Sequence, residues 1–229
     1  MRTGVLIQAR LGSTRLPRKI LRPLGSQPTM LSYLYRRLFE TMDDVELGFI
    51  CPSGDLAEIR EACPGLPLIG LNGLESDVLG RYHDAARILD LDVIVRVTSD
   101  CPLVYGGYVK SMILGFQGGG MSYLSSVYPE RTVPKGFDVE IFDRHTLALA
   151  SHCAEEASDR EHVTPWIQRT VFRRGTWMSG LGPFTCDGQN FSVDTEEDYV
   201  FVKKLVDEGG DLTLEGVYKR FSSAWKEVS

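Results

Sequence analysis

A basic segment at the start of the chain carries residue types that bind anions. Residues 1–39 contain eight basic side chains and no acidic one, although the 229-residue chain has a formal net charge of −6. Gly12 allows the backbone to approach a ligand closely, and Ser13 and Thr14 offer hydroxyl and N–H donors. Arg15 and Lys19 add positive charge at a spacing that can converge on several phosphate groups. The segment therefore predicts a polyphosphate site and hence nucleotide binding.

Alternating strands and helices must position this segment. Apolar runs predict strands at residues 5–7, 47–50, 66–71 and 93–97, and helical spacing predicts helices from about Thr29 and at residues 56–62 and 78–89. This alternation predicts an α/β fold, a mainly parallel sheet with helices on both faces in three layers. The basic segment follows the first strand, and ligands of open α/β sheets bind where strands end at their carboxyl side.

A carboxylate follows the clearest central strand. The run at residues 93–97 is followed by Thr-Ser-Asp-Cys-Pro at residues 98–102. Asp100 would face the basic segment from a neighbouring strand. Mg²⁺ prefers one or two carboxylates together with phosphate oxygens, so Asp100 is a candidate ligand. The alternative is that Asp100 only caps the turn before Pro102.

The basic segment resembles the signature loop of the CMP-sugar-acid synthetases, which are cytidylyltransferases of surface-polysaccharide biosynthesis. It contains neither a Walker A sequence nor G-x-G-x-x-G. The alternative is a surface loop with solvated arginines. The matching positions are Ala9, Arg10, Gly12, Ser13, Arg15, Leu16, Pro17 and Lys19.

The resemblance implies a fold, a reaction and a metal. The fold is the Rossmann-like fold of nucleotide-diphospho-sugar transferases, and the reaction transfers CMP from CTP to a sugar acid with Mg²⁺ and releases pyrophosphate. Gln8, Ala9 and Arg10 would seat the nucleotide together with Gly12 and Ser13. Arg15 and Lys19 would neutralise the β and γ phosphates.

A second metal ligand also comes from the resemblance. Residues 193–198 match the family motif Val-Asp-Thr-x-x-Asp, in which the first aspartate, here Asp194, binds the metal with Asp100. Ser99 stands where the family usually has glycine. Thr195 and Asp198 are explained by a helix capping box, and Asp194 has the alternative role of a helix cap.

Residues 75–82 resemble a motif of the spore-coat-polysaccharide branch of the family. Its Asp77 and Arg81 are candidates for nucleotide or substrate contact. The alternative is structural: Asp77 caps the following helix, and Arg81 pairs on the helix surface with Asp84 or Asp77.

The middle of the chain, residues 118–184, departs from the strand and helix alternation. In the wider family this region forms an arm that crosses to a second subunit, so the resemblance implies a homodimer and an acceptor-sugar site here. Around residues 137–142 carboxylates alternate with apolar residues, which predicts a wet or polar-binding strand face. Lys135 or Arg160 would pair with the acceptor's carboxylate, and His162 is more often a structural residue than a catalyst. The candidate substrate residues are Lys135, Asp138, Glu140, Arg160, Glu161 and His162.

Composition limits the remaining function classes. A chain of 229 residues with 43% hydrophobic content predicts a single domain. Beyond residue 39 it has 17 basic and 31 acidic side chains, which argues against a nucleic-acid surface. There is no run of 18 apolar residues and no signal-peptide pattern, so we expect a cytoplasmic protein that does not bind membranes. The five cysteines are scattered without a C-x-x-C pair, and we interpret them as small buried or neutral residues.

Three alternatives to the cytidylyltransferase remain open from the sequence. A nucleotidyltransferase with another base or acceptor would use the same loop chemistry. A glycosyltransferase would also place an aspartate at a strand end, although it would have no use for a triphosphate loop. A non-catalytic nucleotide-binding protein would bind CTP without turnover, as the serine at position 99 could suggest.

Overall fold

The computed structural model describes residues 1–42, 45–179 and 188–222, and within these residues the chain forms one sheet of seven strands. The strands are β1 (Thr3–Gln8), β2 (Glu46–Pro52), β3 (Leu68–Leu71), β4 (Val93–Thr98), β5 (Tyr123–Ser125), β6 (Val139–Asp143) and β7 (Arg174–Thr176). They lie in the order β3-β2-β1-β4-β6-β5-β7. Only β6 runs antiparallel to its neighbours, β4 and β5, so the predicted mainly parallel sheet is confirmed.

Helices cover both faces of this sheet. Thr29 begins the first of them as expected, since its hydroxyl accepts the Ser32 N–H at 3.0 Å. The predicted helices at residues 56–62 and 78–89 are also present. In the described chain the helices are α1 (Met30–Phe39), α2 (Leu56–Ala62), α3 (Val78–Ile88), α4 (Gly106–Gly119), α5 (Arg144–Cys153), α6 (Ala157–His162), α7 (Pro165–Thr170), α8 (Glu196–Glu208) and α9 (Leu214–Phe221).

The alternation of side chains along the strands produces two cores. Val5 and Ile7 of β1 point into a core shared with α1, α4, α8 and α9. Leu6, between them, points into the opposite core with Phe142 of β6 and residues of α3, α5 and α7. The sheet is therefore the middle of three layers, as predicted.

The segment 118–184, predicted to be an arm, adds three strands to the sheet in its described part. These are β5, β6 and β7, and the intervening helices α5 and α6 pack against α3. Residues 180–184 lie outside the described residues. Contact of this segment with a second subunit stays a prediction.

The cysteines follow the expectation in part. Cys51, Cys63 and Cys101 are buried free thiols, whereas Cys153, at the end of α5, is an exposed free thiol. Cys186 lies outside the described residues. Among the helices of the described residues, none combines the length and the apolar character needed to cross a bilayer.

Candidate active site

The basic segment forms a loop at the carboxyl end of β1, near the middle of the sheet. Two hydrogen bonds anchor the start of the loop: Ala9 N–H donates to Ile50 O of β2, and Leu11 N–H donates to Asp55 Oδ2, each at 2.9 Å. Lys19 ends the segment and begins a short 3-10 turn. The loop therefore stands beside the carboxyl end of β4, where Asp100 follows.

Lys19 joins the two predicted metal ligands. Its Nζ donates to Val193 O at 2.6 Å, to Asp194 Oδ1 at 3.1 Å and to Asp100 Oδ2 at 3.5 Å. The Lys19 side chain is 11% exposed, so this ammonium is largely withdrawn from solvent. Residues from three distant parts of the sequence thus converge on one atom.

Backbone contacts hold the Asp194 segment next to Asp100. Val193 N–H donates to Asp100 O at 2.8 Å, and Phe191 N–H donates to Lys135 O at the same distance. Gly136 has a φ of +102°, and a Cβ there would lie 2.3 Å from the carbonyl carbon of Phe191. Only glycine permits both this conformation and this close approach of two backbones.

Two further cations surround Asp194. Arg15 Nη2 lies 3.3 Å from Asp194 Oδ1, and Lys135 Nζ lies 3.6 Å from Asp194 Oδ2. Arg15 and Lys135 are 65% and 52% exposed, so their side chains are able to turn toward a bound anion. Lys135 lies beside the carboxylate pair, and its role in acceptor binding stays a prediction.

The carboxylate pair fits a magnesium ion. Asp100 and Asp194 both reach the same Nζ, so their oxygens converge, and two carboxylates with phosphate oxygens are a ligand set that Mg²⁺ accepts. No group of three His, Cys, Asp or Glu that could hold a metal occurs in the described residues. Phosphate oxygens would therefore be needed to complete the coordination. Ser99 does not have a positive φ, so its side chain causes no backbone strain at this turn.

A cavity of about 340 Å³ opens between these groups and the sheet. Its loop end is formed by Ser13, Arg15, Lys19, Asp100 and Asp194, and its sheet end by three side chains of β1 and β4, namely Gln8, Arg96 and Thr98. Gln8 and Thr98 are partners in register, and Leu6 is the partner of Arg96. The sheet end therefore lies on the same sheet face as Leu6.

Most of the predicted site residues line this cavity. Those lining it are Gln8, Ala9, Arg10, Ser13, Arg15, Lys19, Arg81, Asp100, Glu161, His162 and Asp194. The predicted residues outside the lining are Gly12, Asp77, Lys135, Asp138, Glu140 and Arg160. The lining residues for which the sequence predicted no binding role are Ile20, Val78, Arg96, Thr98 and Ser99, whereas Thr14, predicted to offer hydroxyl and N–H donors, does line the cavity.

Asp77 and Arg160 bind each other. Arg160 Nε and Nη2 donate to the two carboxylate oxygens of Asp77 at 2.9 and 2.8 Å, and Arg160 Nη1 donates to Ser151 O at 2.7 Å. Asp77 also caps α3, as its structural alternative predicted, by accepting the Gly80 N–H at 3.0 Å. Burial alone would raise the pKa of Asp77, but the hydrogen bonds from Arg160 and Gly80 lower it below its usual range. The Arg160 guanidinium is thus committed to the protein.

Arg81 is a buried residue of the cavity wall. It is 4% exposed and donates to Leu74 O at 2.9 Å and to Glu75 O at 2.6 Å. The interpretation of Arg81 as half of a surface ion pair was therefore wrong. Burial lowers the pKa of the Arg81 guanidinium.

The strand face expected to be wet is buried. Glu140 is 3% exposed and accepts from Arg96 Nη1 at 2.6 Å, from the Tyr123 hydroxyl and from Gln168 Nε2 at 3.3 Å. The alternation predicted a polar face correctly, but helices α5 and α7 cover that face of the sheet. Burial, with the charge of Glu140, raises the pKa of Tyr123.

The remaining predicted residues near the cavity are held in ion pairs or lie at a helix end. Asp138 accepts from Arg131 Nη1 and Nη2 at 2.6 and 3.0 Å. Glu161 lies 3.8 Å from Arg10, and His162 is exposed at the end of α6. None of these contacts tests a role in substrate binding, which stays a prediction.

A second cavity, of about 440 Å³, lies at the opposite end of the sheet. Met1, Arg2 and Thr3 line it together with residues of α4. Because ligands of open α/β sheets bind at the carboxyl ends of strands, this cavity at the amino end of β1 is a poorer candidate.

Sequence comparison relates the chain to known proteins over most of its length. Residues 4–211 match the family described as Cytidylyltransferase. Protein MJ1063 of Methanocaldococcus jannaschii is 34% identical over 203 residues, which cover 87% of this chain and 81% of that protein. The spore coat polysaccharide biosynthesis protein SpsF of Bacillus subtilis is 31% identical over 215 residues, which cover 90% of this chain and 87% of SpsF.

Solved structures share the fold. A cytidylyltransferase from Leptospira borgpetersenii serovar Hardjo-bovis is similar with a TM-score of 0.83 and 28% identity, over 100% of this chain and 95% of that one. A CMP:2-keto-3-deoxy-manno-octonic acid synthetase, solved with CTP, is similar with a TM-score of 0.69 and 15% identity, over 91% and 99%. The second likeness concerns the fold alone.

Proposed function

The chain belongs to the cytidylyltransferase family, and we propose that it transfers CMP from CTP to a hydroxyl group of a sugar acid at the cavity described above. It is a CTP-dependent nucleotidyltransferase that releases pyrophosphate. SpsF is named for polysaccharide biosynthesis, and other relatives are named 3-deoxy-manno-octulosonate cytidylyltransferases. These names support a sugar acid as the acceptor.

The observation that carries the assignment is the meeting of Lys19, Asp100 and Asp194 at the carboxyl ends of β1 and β4. A triphosphate at the loop end would replace the aspartates as the anionic partner of the nearby cations. Lys19 and Arg15 would turn from Asp194 to the β and γ phosphates, while Arg10 and the loop backbone would seat the nucleotide.

Once Lys19 and Arg15 have turned to the phosphates, the carboxylates of Asp100 and Asp194 would be available to hold Mg²⁺. When bound, this ion would neutralise charge on the phosphate oxygens and on the departing pyrophosphate. The ligand types and their convergence support this role.

The acceptor hydroxyl would attack the α-phosphorus in line with the leaving pyrophosphate. A new bond from the acceptor oxygen to phosphorus would form as the bond to the β-phosphate oxygen breaks, pyrophosphate would leave, and the hydroxyl proton would pass to water. The residues at the loop end would position the reactants and stabilise charge, so that no covalent intermediate with the protein is required.

We also propose a cytoplasmic homodimer. Phe172 and Met178, both in the segment predicted to be an arm, are large apolar side chains exposed to 97% and 66%. Such residues support an interface in this region. Light scattering should give the mass of two chains, and the mass of one chain would contradict the dimer.

A substrate panel tests the reaction. Pyrophosphate release would be measured with Mg²⁺ and CTP, UTP, ATP or GTP against sugar acids, neutral sugars and phosphorylated sugars. We expect release that requires CTP and a sugar acid. Preference for another nucleotide would favour the broader nucleotidyltransferase, and CTP-induced thermal stabilisation without product would favour a binding protein.

A matched pair of variants ties this reaction to the site. Asp100→Asn should abolish most of the release because it removes a charge from the carboxylate pair. Asp90→Asn makes the same chemical change at an exposed residue whose φ of +52° suits asparagine, and it should keep the wild-type rate. Equal rates for the two variants would remove Asp100 from the mechanism.

A further inference from the structure

A buried ion pair on the sheet has apolar neighbours on the same face. Arg96 on β4 is in register with Leu6 on β1 and with Glu140 on β6. Ile94 and Phe142, neighbours on the same face, belong to the apolar core. Withdrawing two charges from water costs free energy that their mutual attraction often fails to recover. Stabilisation of the fold alone is therefore a poor explanation for a buried ion pair.

Both carboxylate oxygens of Glu140 accept hydrogen bonds from the protein. Its Oε2 accepts from Arg96, and its Oε1 accepts from Tyr123 and Gln168. Gln168 also donates to the Tyr123 hydroxyl at 3.1 Å, so all partners of this carboxylate are themselves fixed. Glu140 therefore holds Arg96 Nη1 in one place.

Arg96 itself has donors to spare. A guanidinium has five N–H donors, and in the described chain Arg96 makes one hydrogen bond, from Nη1 to Glu140. Its Nε is buried and has no partner among the described residues. Arg96 also lines the sheet end of the cavity, beside Gln8 and Thr98. An oriented, incompletely paired guanidinium thus faces the space where a ligand would lie.

Two other candidate cations, Arg160 and Arg81, are committed to the protein, and a third, Lys135, lies at the loop end of the cavity. Arg160 Nε, Nη1 and Nη2 all donate to Asp77 or Ser151, and both terminal nitrogens of Arg81 donate to carbonyls. Lys135 lies at Asp194. Arg96 is therefore better placed than Arg160 or Lys135 to receive a new anion at the sheet end.

The anion that fits Arg96 is a carboxylate of the acceptor. Arg96 lies two residues before the end of β4 at Thr98, which corresponds to about 7 Å of extended strand at about 3.3 Å per residue, and Asp100 follows in the turn beyond that end. The triphosphate would be neutralised at the loop end by Lys19 and Arg15, and cytidine carries no charge. We propose that Arg96 binds the carboxylate of the sugar acid and that Glu140 is the positioning residue that orients Arg96. This inference rests on the proposed function.

The test uses a variant that removes both charges. Arg96→Gln alone would leave Glu140 buried without its partner, so the double variant Arg96→Gln/Glu140→Gln is used, with its fold checked by circular dichroism and thermal melting. A lost hydrogen bond to a charged group corresponds to about a 10- to 100-fold change. We expect KM for the acid to rise by about that factor, with the affinity for CTP, measured by calorimetry, unchanged.

A second substrate separates carboxylate recognition from a general defect. The wild-type enzyme would be assayed with the sugar acid that supports its CTP-dependent release and with the methyl ester of that acid. The wild type should prefer the acid, and the double variant should lose this preference because it no longer offers a cation.

The outcomes distinguish this inference from the proposed function. No product from the wild type with any sugar acid would overturn both. Product from the wild type, with an undiminished acid preference in the folded double variant, would overturn the role of Arg96 alone. A fall in CTP affinity would also overturn it, because Arg96 would then belong to the nucleotide site.

Discussion

At the loop end of the cavity, Lys19, Asp100 and Asp194 meet on segments that leave the sheet, whereas at the sheet end Arg96 and Glu140 meet within the strands. Lys19 contacts two partly exposed carboxylates, and neighbouring Arg15 is largely in solvent. Glu140 is almost fully buried, and Tyr123 and Gln168 fix it.

The two ends of the cavity therefore differ in whether their charged side chains can change partners when a ligand binds. Arg15 and Lys135 can leave Asp194 for phosphates at small cost because their side chains are exposed, whereas the largely buried Lys19 would exchange the carboxylate for a phosphate as its anionic partner. The side chains of the sheet end are held in place before a ligand binds, so they should bind it specifically. A substitution there should also lower the stability of the fold. We therefore expect variants at the loop end to change chemistry and variants at the sheet end to change stability as well.

The largest effect is expected on turnover, from Lys19→Met. Loss of one preorganised charge at a developing negative charge costs about 10²- to 10³-fold in rate. We expect a fall in kcat of that order with little change in melting temperature, as measured by pyrophosphate release and thermal unfolding. Lys203→Met, at an exposed lysine that pairs with Asp207 on α8, is the control. Wild-type turnover in Lys19→Met would show that the loop end does not act on the phosphates.

The next effect is on stability, at the sheet end. Arg96→Gln leaves a buried carboxylate without its partner and should lower the free energy of unfolding by about 3–5 kcal/mol. Adding Glu140→Gln should restore most of this loss, because no uncompensated charge then remains. Urea denaturation of the two variants measures both values. A single variant as stable as the wild type would mean that this pair is not held as rigidly as its contacts indicate.

A smaller effect is expected on metal binding without nucleotide. Lys19 Nζ contacts both proposed metal ligands, so it competes with a cation for them. Lys19→Met should therefore bind Mn²⁺ about tenfold more tightly than the wild type. The reason is that the interaction energy of two neighbouring unit charges near a protein surface is on the order of a few kcal/mol. Electron paramagnetic resonance of free Mn²⁺ measures this affinity, and weaker binding by the variant would contradict the competition.

The smallest effect is on the pH dependence of stability, at Asp77. Because the pKa of Asp77 is lowered in the folded protein, its stabilisation is present above its unfolded pKa of about 3.9 and is lost as pH falls through the lower folded pKa. Asp77→Asn keeps a good helix cap but loses the charge facing Arg160. It should be less stable by about 1 kcal/mol at pH 7, and the difference should shrink below about pH 4. A difference that stays constant from neutral to acidic pH would exclude this ion pair as its cause.

The sequence predicted the loop end well because its residues are nearly contiguous. Residues 9–19 follow a strand directly, so their position at the edge of the sheet follows from the strand alone. The strands of the amino-terminal half follow from apolar runs, whereas β5 and β7, of three residues each, are too short to give a pattern.

At the sheet end Gln8 and Glu140 were predicted as site residues, but Arg96 was missed because its role depends on distant packing. Arg96 sits in a run of apolar residues that predicts a buried strand, and a charged residue inside such a run was the available signal. The alternation around Glu140 indicates that one face is polar but does not tell which helices cover it. Similarly, no local pattern indicates that Arg160 binds Asp77, which lies 83 positions earlier in the chain.

Transfer of the α-phosphate is the central claim, and isotope labelling tests it most directly. The enzyme would be incubated with Mg²⁺, a sugar acid and CTP labelled at the α-phosphorus, and the products would be separated. We predict that the label appears in a CMP-linked sugar and that the pyrophosphate is unlabelled, with both products lost in Asp100→Asn. Label in pyrophosphate, or CTP that is bound but never consumed, would contradict the account.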